Sequence, residues 1–310
     1  MVLKKLANLY KSGSLGYYIS KTLISTYNFF NFSIYSDKKI IDRKFKKVFG
    51  YKPDLKNPKT LNEKIQWLKL NERKDFHTIV VDKFEVRNWL SERFGSKYLI
   101  PLIYHTDNWK NINKDNIKQF PCIIKANHTS GDYKIIRNPY DIDWKELKNE
   151  CRWWLNKNYY QTSQEWQYKN VKPQIVVEHL LTTKDGKIPN DYKLHFFNGE
   201  LEFIYVSVDR EGKNKRNIYD ADWNPLLFTW VSKYKNHENV RGEEIAAPES
   251  FEEMKRIGTD IAKLFKYVRV DFYDVDGKLY FGEITLHHGG GFDVFCPKDY
   301  DLHYGKKLLL

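Results

Sequence analysis

Cysteine is scarce in this 310-residue chain. Cys122, Cys151 and Cys296 are three, an odd number, far apart. Their spacing matches neither a disulfide framework nor a zinc site, so the expected setting is a reduced, cytoplasmic one. Long apolar runs are missing too. The longest uncharged stretch, Thr22 to Ser36, has 15 residues, too few to span a bilayer. No cleavable leader pattern is visible at the start. Gly-x-Ser-x-Gly, His-Glu-x-x-His and His-Arg-Asp patterns are absent, which removes support for the hydrolase, zinc-protease and protein-kinase chemistries that depend on them. No helix-turn-helix, zinc-finger or RNA-recognition signature occurs, so nucleic acid is not the expected partner.

What the chain does have is positive charge. Fifty-two Lys and Arg against 40 Asp and Glu give a formal net charge of +12. That favours an anionic partner, and the scattered basic clusters do not say which one. Apolar content of 41%, with 16% aromatic residues, is enough for a real core. The aromatic residues of Thr22 to Ser36 (Tyr27, Phe29, Phe30, Phe32, Tyr35) either pack on the body or rest on a membrane surface.

Local signals give a coarse order of elements. Residues 1–50 read as an irregular or helical extension. Thr60 and Glu63 form a capping-box pattern that starts a helix. A second helix is expected from Asp82 to Phe94, stopped by Gly95. Strand character is expected at Lys97–Tyr104, Pro121–Lys125, Ile135–Ile136 and Gln174–Leu181. A helix is expected over Asp143–Asn156. Tyr192–Val208 reads as a hairpin turned at Asn198-Gly199. Another helix is expected from Ser250 through Phe265. Helices and antiparallel hairpins without a regular βαβ rhythm imply an α+β or mixed α/β class.

The most informative segment is Val268–Thr285, two strand-like runs joined by a Gly-containing turn. A three-residue loop at Val275–Gly277 would pair Asp274 with Lys278. Asp271 would then face Phe281, and Glu283 would face Arg269, all on one side of the sheet. Val268, Val270, Phe272, Tyr280 and Ile284 would line the other side. Paired carboxylates on a rigid face suit Mg²⁺, a hard cation that takes oxygen ligands. A surface hairpin with a cross-strand Arg–Glu pair fits the spacing equally well.

Other positions are weaker one by one. Lys125 ends an apolar strand before the small polar loop 126–132, where a lysine and backbone N–H groups can hold a phosphate. An ordinary strand exit reads the same. Lys83 alone is a surface lysine. Glu178 ends a buried strand, where a carboxylate suits ribose hydroxyls. Lys193 shares a polar strand face with Asp191 and His195. Arg210–Arg216 is either an anion-gripping loop or a solvated turn. His287 and His288 are adjacent and make a poor joint metal site. Gly289–Gly291 imply either close backbone approach to a ligand or a flexible loop.

The order of these residues is more specific than any one of them. The segments Asn57–Trp67, Asp82-Lys83 with Val86-Arg87, Tyr98–Leu102, Lys125–His128, Asp191–Lys193, Arg269–Tyr273 and Phe281–Glu283 resemble the ATP-grasp superfamily. More closely, they resemble its TupA-like group of capsule and teichuronopeptide gene clusters, over roughly residues 40–295. The resemblance implies an α+β ATP-grasp fold, two subdomains gripping ATP between them. The implied division is an extension at 1–40, then a catalytic domain at 41–310. Within that domain, 41–120 would be an N-terminal part, 121–180 a lid subdomain and 181–310 a metal-binding part. Lys83 and Lys125 would contact phosphates, with Lys125 toward the α-phosphate. The 128–134 loop, with His128, Ser130 and Gly131, would close over them. Glu178 would hold ribose, and backbone near Leu180 would read adenine.

By the same resemblance Asp271 and Glu283 would bind Mg²⁺, with Thr285 where many relatives carry Asn. Lys193 and Arg269, with Arg210, would stabilise the transferred phosphoryl group. Arg216, His288 and Gly290 are candidates to touch substrate. The implied activity is an ATP-dependent carboxylate–amine ligase acting on a uronic acid of a surface polysaccharide or its precursor. Its amine would be an amino acid or amino alcohol, and the 1–40 extension would give peripheral association with the inner membrane face. A sugar-nucleotide glycosyltransferase of capsule assembly and a non-enzymatic anion-binding assembly factor remain alternatives.

Overall fold

The computed structural model describes residues 14–30, 34–237 and 240–310. Parts of the expected 1–40 extension, residues 1–13 and 31–33 with Phe32, lie outside the described residues. The helices are α1 (Ser14–Asn28), α2 (Asp37–Phe49), α3 (Leu61–Asn71), α4 (Asp75–Val81), α5 (Val86–Phe94), α6 (Trp144–Leu155), α7 (Tyr159–Ser163), α8 (Phe251–Ala262) and α9 (Asp299–Lys307). The strands run β1 (Leu102–Thr106), β2 (Cys122–Ala126), β3 (Tyr133–Ile136), β4 (Ile175–His179), β5 (Asp191–Phe197) and β6 (Glu200–Val208). They continue as β7 (Lys215–Tyr219), β8 (Thr229–Ser232), β9 (Tyr267–Val275), β10 (Lys278–Thr285) and β11 (Asp293–Cys296). Every strand pairing among the described residues is antiparallel, so the class is α+β.

The chain forms two compact units. Among the described residues, the first comprises those up to Ile40 with 82–86 and 101–180, and the second those of 41–81, 87–100 and 181–310. Residues 41–120 are therefore divided between the two.

The first unit carries a four-stranded sheet, order β1-β4-β2-β3. Strict alternation along β2 buries Cys122, Ile124 and Ala126 among Leu147, Cys151 and Trp154 of α6 and Ile175 and Val177 of β4. The α6 helix begins as its sequence predicts. Asp143 accepts hydrogen bonds from the N–H groups of Lys145 and Glu146, which satisfies donors that have no intrahelical partner.

The second unit carries a five-stranded sheet, order β10-β9-β5-β6-β7, and a two-stranded ribbon of β8 and β11. One sheet face packs on α8. Gly258 allows that approach, because a Cβ there would lie 2.5 Å from Phe196 Cζ. The other face meets α3, α9 and the ribbon through an aromatic core of Phe197, Phe203, Phe228, Trp230, Phe295 and Tyr304. Thr60 and Glu63 form the capping box at the start of α3.

Several boundaries differ from the sequence reading. The expected Asp82–Phe94 helix starts only at Val86, and α4 precedes it. Asp82 accepts from the N–H groups of Phe84 and Glu85, closing a side-chain turn that interrupts the helix. Lys83 thus sits in a turn. The expected Lys97–Tyr104 strand is a short 3₁₀ turn at Ser96–Tyr98, with β1 starting at Leu102. Pro101 lies between them and has no N–H to give a ladder. The helix expected through Phe265 ends at Ala262, where Leu264 and Phe265 donate to Ile261 and Ala262.

The largest correction is the hairpin register. The turn is the two-residue Asp276-Gly277, with φ of 52° and 85°, the geometry that Asp-Gly favours. Lys278 therefore pairs with Val275, and Phe281 pairs with Phe272. A bulge at Gly282 then shifts the ladder, placing Glu283 opposite Asp271 and Thr285 opposite Arg269. Asp271, Glu283 and Arg269 do share a face, by two offsets that compensate. Tyr280 and Phe281 exchange the faces expected of them: Tyr280 pairs with Tyr273, and Phe281 is buried.

Gly282 is required by close approach, since a Cβ would stand 2.9 Å from the Asp271 carbonyl oxygen. Gly282→Ala should therefore lower stability by about 1–3 kcal/mol. The readout is a fall in the urea midpoint at unchanged m-value. An unchanged midpoint would show that the bulge yields without cost.

Candidate functional site

In the first unit, β2 and β4 bring a lysine and a glutamate together. Ile123 lies opposite Glu178, and Lys125 lies opposite Val176. Lys125 and Glu178 therefore project from the face turned away from the α6 core. Lys125 Nζ reaches Glu178 Oε2 at 2.5 Å, with the glutamate side chain only 3% exposed. Leu180 is buried, and its N–H donates to the Pro121 carbonyl at 3.1 Å.

The neighbouring loop is anchored by a residue to which the sequence reading gives no role. Asn127 is fully buried. Its Nδ2 donates to Asp82 Oδ1 and to the Lys172 carbonyl, each at 2.9 Å. Its Oδ1 accepts from the Gln174 N–H at 2.7 Å and lies 3.0 Å from His128 Nδ1. Lys83 closes the same knot: its Nζ donates to the Thr129 carbonyl at 2.8 Å. Burial pushes the His128 pKa down to about 4, so its imidazole is neutral at pH 7. Burial also raises Asp82, against the hydrogen bonds it accepts. His128 and Thr129 are buried, whereas Ser130 and Gly131 are exposed. The expected lid segment thus begins in a fixed knot. In the sequence Asn127 stands only within the loop after a strand-end lysine and in the matching Lys125–His128 segment, with no role of its own.

In the second unit, the sheet register builds three rows across one face. Thr285, Arg269, His195 and Phe203 form one row. Glu283, Asp271, Lys193, Tyr205 and Ile218 form the next. Tyr273, Asp191, Ser207 and Arg216 form the third. The face grades from an aromatic core at His195 and Phe203 to a charged cluster at Asp271.

Arg269 is the hub of that cluster. Its Nε donates to Asp271 Oδ1 at 2.6 Å, and its Nη2 donates to Asp271 Oδ2 and Glu283 Oε1, both at 2.7 Å. Lys193 Nζ donates to Asp271 Oδ2 at 2.8 Å and also contacts Asp191. Asp271 is 1% exposed. Burial raises its pKa, while Arg269 and Lys193 oppose that shift. Burial by itself would lower Arg269, but Asp271 and Glu283 carry it upward. Thr285 Oγ1 donates to Glu283 Oε1 at 3.3 Å.

The fourth contact of Arg269 fixes a tautomer. Its Nη1 lies 2.9 Å from His288 Nδ1. Guanidinium only donates, so Nδ1 accepts and the imidazole proton sits on Nε2, 3.4 Å from Asp293 Oδ2. Burial lowers the His288 pKa, consistent with that neutral form. The glycines after His288 approach the chain itself. Gly290 O accepts from Gln66 Nε2 at 2.9 Å and Lys69 Nζ at 3.0 Å, both on α3.

Arg210 Nη1 donates to the Pro189 carbonyl at 3.2 Å, and its guanidinium lies 5.3 Å from the Tyr273 ring centre. Arg216 lies on β7 rather than in the preceding loop, on the face of Asp191.

The donor set here suits a hard divalent cation: two facing carboxylates and a hydroxyl, all oxygen. Among the described residues no group of three or more His, Cys, Asp or Glu side chains forms an all-protein cage. Mg²⁺ rarely uses one, taking one or two carboxylates and completing its shell with water and phosphate.

A family model described as TupA-like ATPgrasp matches residues 63–309. No curated protein matches the chain. Among solved structures, the D-alanine–D-alanine ligase of Bacillus anthracis is 17% identical, covering 67% of this chain and 56% of its own, at TM-score 0.36. The corresponding ligase of Helicobacter pylori is 15% identical, covering 81% and 69%, at TM-score 0.39. The ATP-grasp ligase PsnB, in complex with a phosphomimetic variant of its minimal precursor, Mg and ADP, is 10% identical, covering 72% and 56%, at TM-score 0.40. The chain thus spans little more than half the length of the Bacillus anthracis ligase and of PsnB. The family match, by contrast, covers residues 63–309 of the 310. By that match over most of its length, the chain belongs to the TupA-like ATPgrasp family.

Proposed function

We propose that this protein is an ATP- and Mg²⁺-dependent carboxylate–amine ligase. The carrying observation is the Arg269–Asp271–Glu283–Lys193 cluster, built around the buried Arg269 and Asp271 on one sheet face in a chain of this family. ATP would phosphorylate a carboxylate. An amine would then attack the acyl phosphate, forming the C–N bond as the C–O bond to phosphate breaks. Amide, ADP and phosphate result.

In this reading Lys83 and Lys125 bind phosphates, Lys125 toward the α-phosphate. Glu178 holds ribose, and the backbone at Leu180 meets adenine through its carbonyl, its N–H being engaged. His128 fixes the loop whose Ser130 and Gly131 N–H groups face phosphate. Asp271 and Glu283, with Thr285, hold Mg²⁺, which when bound neutralises phosphate charge. Arg269 places fixed positive charge at the transferred phosphoryl group, where preorganised donors contribute most, and Lys193 adds a second cation beside it. Arg210 and Arg216 receive the acidic substrate. His288, which also holds Arg269, and Gly290 are the further candidates to touch substrate.

We propose a uronic acid of a surface polysaccharide or its precursor as the carboxylate, and an amino acid or amino alcohol as the amine. Peripheral membrane association is part of the proposal. Helix α1 and the residues after it expose Ile19, Leu23, Tyr27 and Phe30 at helical spacing, with Tyr18 and Phe29 beside them. Lys21, Lys38 and Lys39 lie close in sequence. No helix among the described residues is long and apolar enough to cross a membrane. The proposal is tested by incubating the protein with ATP, Mg²⁺, uronic acids and a panel of amines. ADP with an amide product supports it. Release of a nucleoside diphosphate from a sugar nucleotide, without ADP, favours a glycosyltransferase instead.

Glu283→Gln should abolish turnover, by at least about a hundredfold, with an unchanged unfolding midpoint, because Glu283 is partly exposed. Asp271→Asn should also abolish turnover, but it leaves Arg269 buried against a neutral amide and should cost about 3–5 kcal/mol of stability. Near-normal ADP release from Glu283→Gln would remove the metal assignment.

Lys125→Ala should weaken ATP binding by about tenfold or more, the worth of a charge-assisted contact. Titration calorimetry well below the unfolding temperature reads this. Unchanged affinity would make the Lys125–Glu178 pair purely structural.

Arg210→Ala and Arg216→Ala should raise KM for the carboxylate substrate far more than KM for ATP. Equal effects on both would move these arginines to the nucleotide.

A further inference from the structure

The carboxylate read here as a metal ligand is already occupied. Both oxygens of Asp271 accept from Arg269, and Oδ2 accepts from Lys193 as well. A cation cannot approach Asp271 without displacing positive charge. Arg269 is poorly placed to leave, since it is held also by Glu283 and His288. Lys193 is different. It is shared between two carboxylates on adjacent strands, Asp271 and Asp191.

Asp191 sits two residues before Lys193 on β5, on the same face. It is 8% exposed, and its Oδ1 is buried without a hydrogen-bond partner. Asp191 therefore has spare accepting capacity next to a lysine that Asp271 must release. We propose that Lys193 is a movable counter-ion. It neutralises Asp271 when no divalent cation is bound, and Asp191 is the positioning residue that receives it when one binds. This rests on the reading of Asp271 as a metal ligand. The arrangement spares the buried Asp271 an uncompensated charge in the metal-free protein. It also makes the site weak for metal alone.

The two neighbours should then have opposite effects on metal affinity. The probe is Mn²⁺ alone, titrated into nucleotide-free protein and read as free Mn²⁺ by electron paramagnetic resonance. Lys193→Met should tighten Mn²⁺ binding by at least about tenfold, because a unit charge a few ångströms from the site is gone. Asp191→Asn should leave Lys193 wholly on Asp271 and weaken binding by several-fold. The double variant Lys193→Met/Asp191→Asn should keep the gain. Loss of the gain there would show that the bare Asp191–Asp271 pair, made by the single variant, is the binder, and would overturn the proposal. Binding in Lys193→Met no tighter than in the natural protein would overturn it too, as would tighter binding in Asp191→Asn. Lys193→Met/Asp271→Asn separates the two claims. If it retains tight binding, the assignment of Asp271 as ligand fails. If it loses it while the other variants behave as expected, both stand.

Discussion

The two-point grip of Arg269 on Asp271 is the interaction on which the rest of the second unit depends. Two opposite charges in a 1–8% exposed setting are costly to desolvate, and the cost is recovered only if geometry and further hydrogen bonds are good. Here both conditions hold. The guanidinium meets the carboxylate edge-on, Glu283 and His288 take its remaining directions, and Lys193 balances Asp271. Each partner is placed by a separate element: β9 supplies the pair, β5 the lysine, β10 the glutamate beyond a glycine bulge, and the turn after β10 the histidine. Moving β9 or β5 would leave a buried charge less well compensated, so the sheet register and the cluster specify each other.

The same arrangement separates residues that look alike in sequence. Asp271 and Glu283 are both acids on one hairpin, yet one is enclosed and the other partly open. Asp271 is thus a structural charge as well as a candidate ligand, and substituting it changes two things at once. Glu283 is the better isolated reporter of chemistry. Lys125 resembles Asp271 in this respect, because its contact with the buried Glu178 couples the candidate nucleotide site to the integrity of the β2–β4 pair.

Much of this was legible in the chain, for physical reasons that differ by residue. The capping box at Thr60, the Asn198-Gly199 turn and the α6 helix are local features set by neighbouring residues, and they appear where expected. The shared face of Arg269, Asp271 and Glu283 was also legible, although through a wrong turn length. Asp276-Gly277 carries the two-residue turn signal and Gly282 the signal of a bulge inside a strand, so both offsets were readable. Taking the longer loop put Phe281 and Tyr280 on each other's faces. Pairings between distant segments were not legible: β1 with β4, and the order β10-β9-β5-β6-β7, bring together residues that no local pattern links. The roles of Asn127 and Asp82, which stand in the sequence only as members of matching segments, escaped for the same reason, since they lie in a bond to each other across 45 positions.

The central claim is that phosphate is transferred to a carboxylate and then displaced by an amine. The measurement that tests it most directly uses a uronic acid labelled with ¹⁸O in its carboxylate, together with ATP, Mg²⁺ and an amine, followed by ³¹P nuclear magnetic resonance of the inorganic phosphate. An acyl phosphate predicts one ¹⁸O atom in phosphate for each amide formed. Amide formation with unlabelled phosphate, or with the label in AMP, would contradict it.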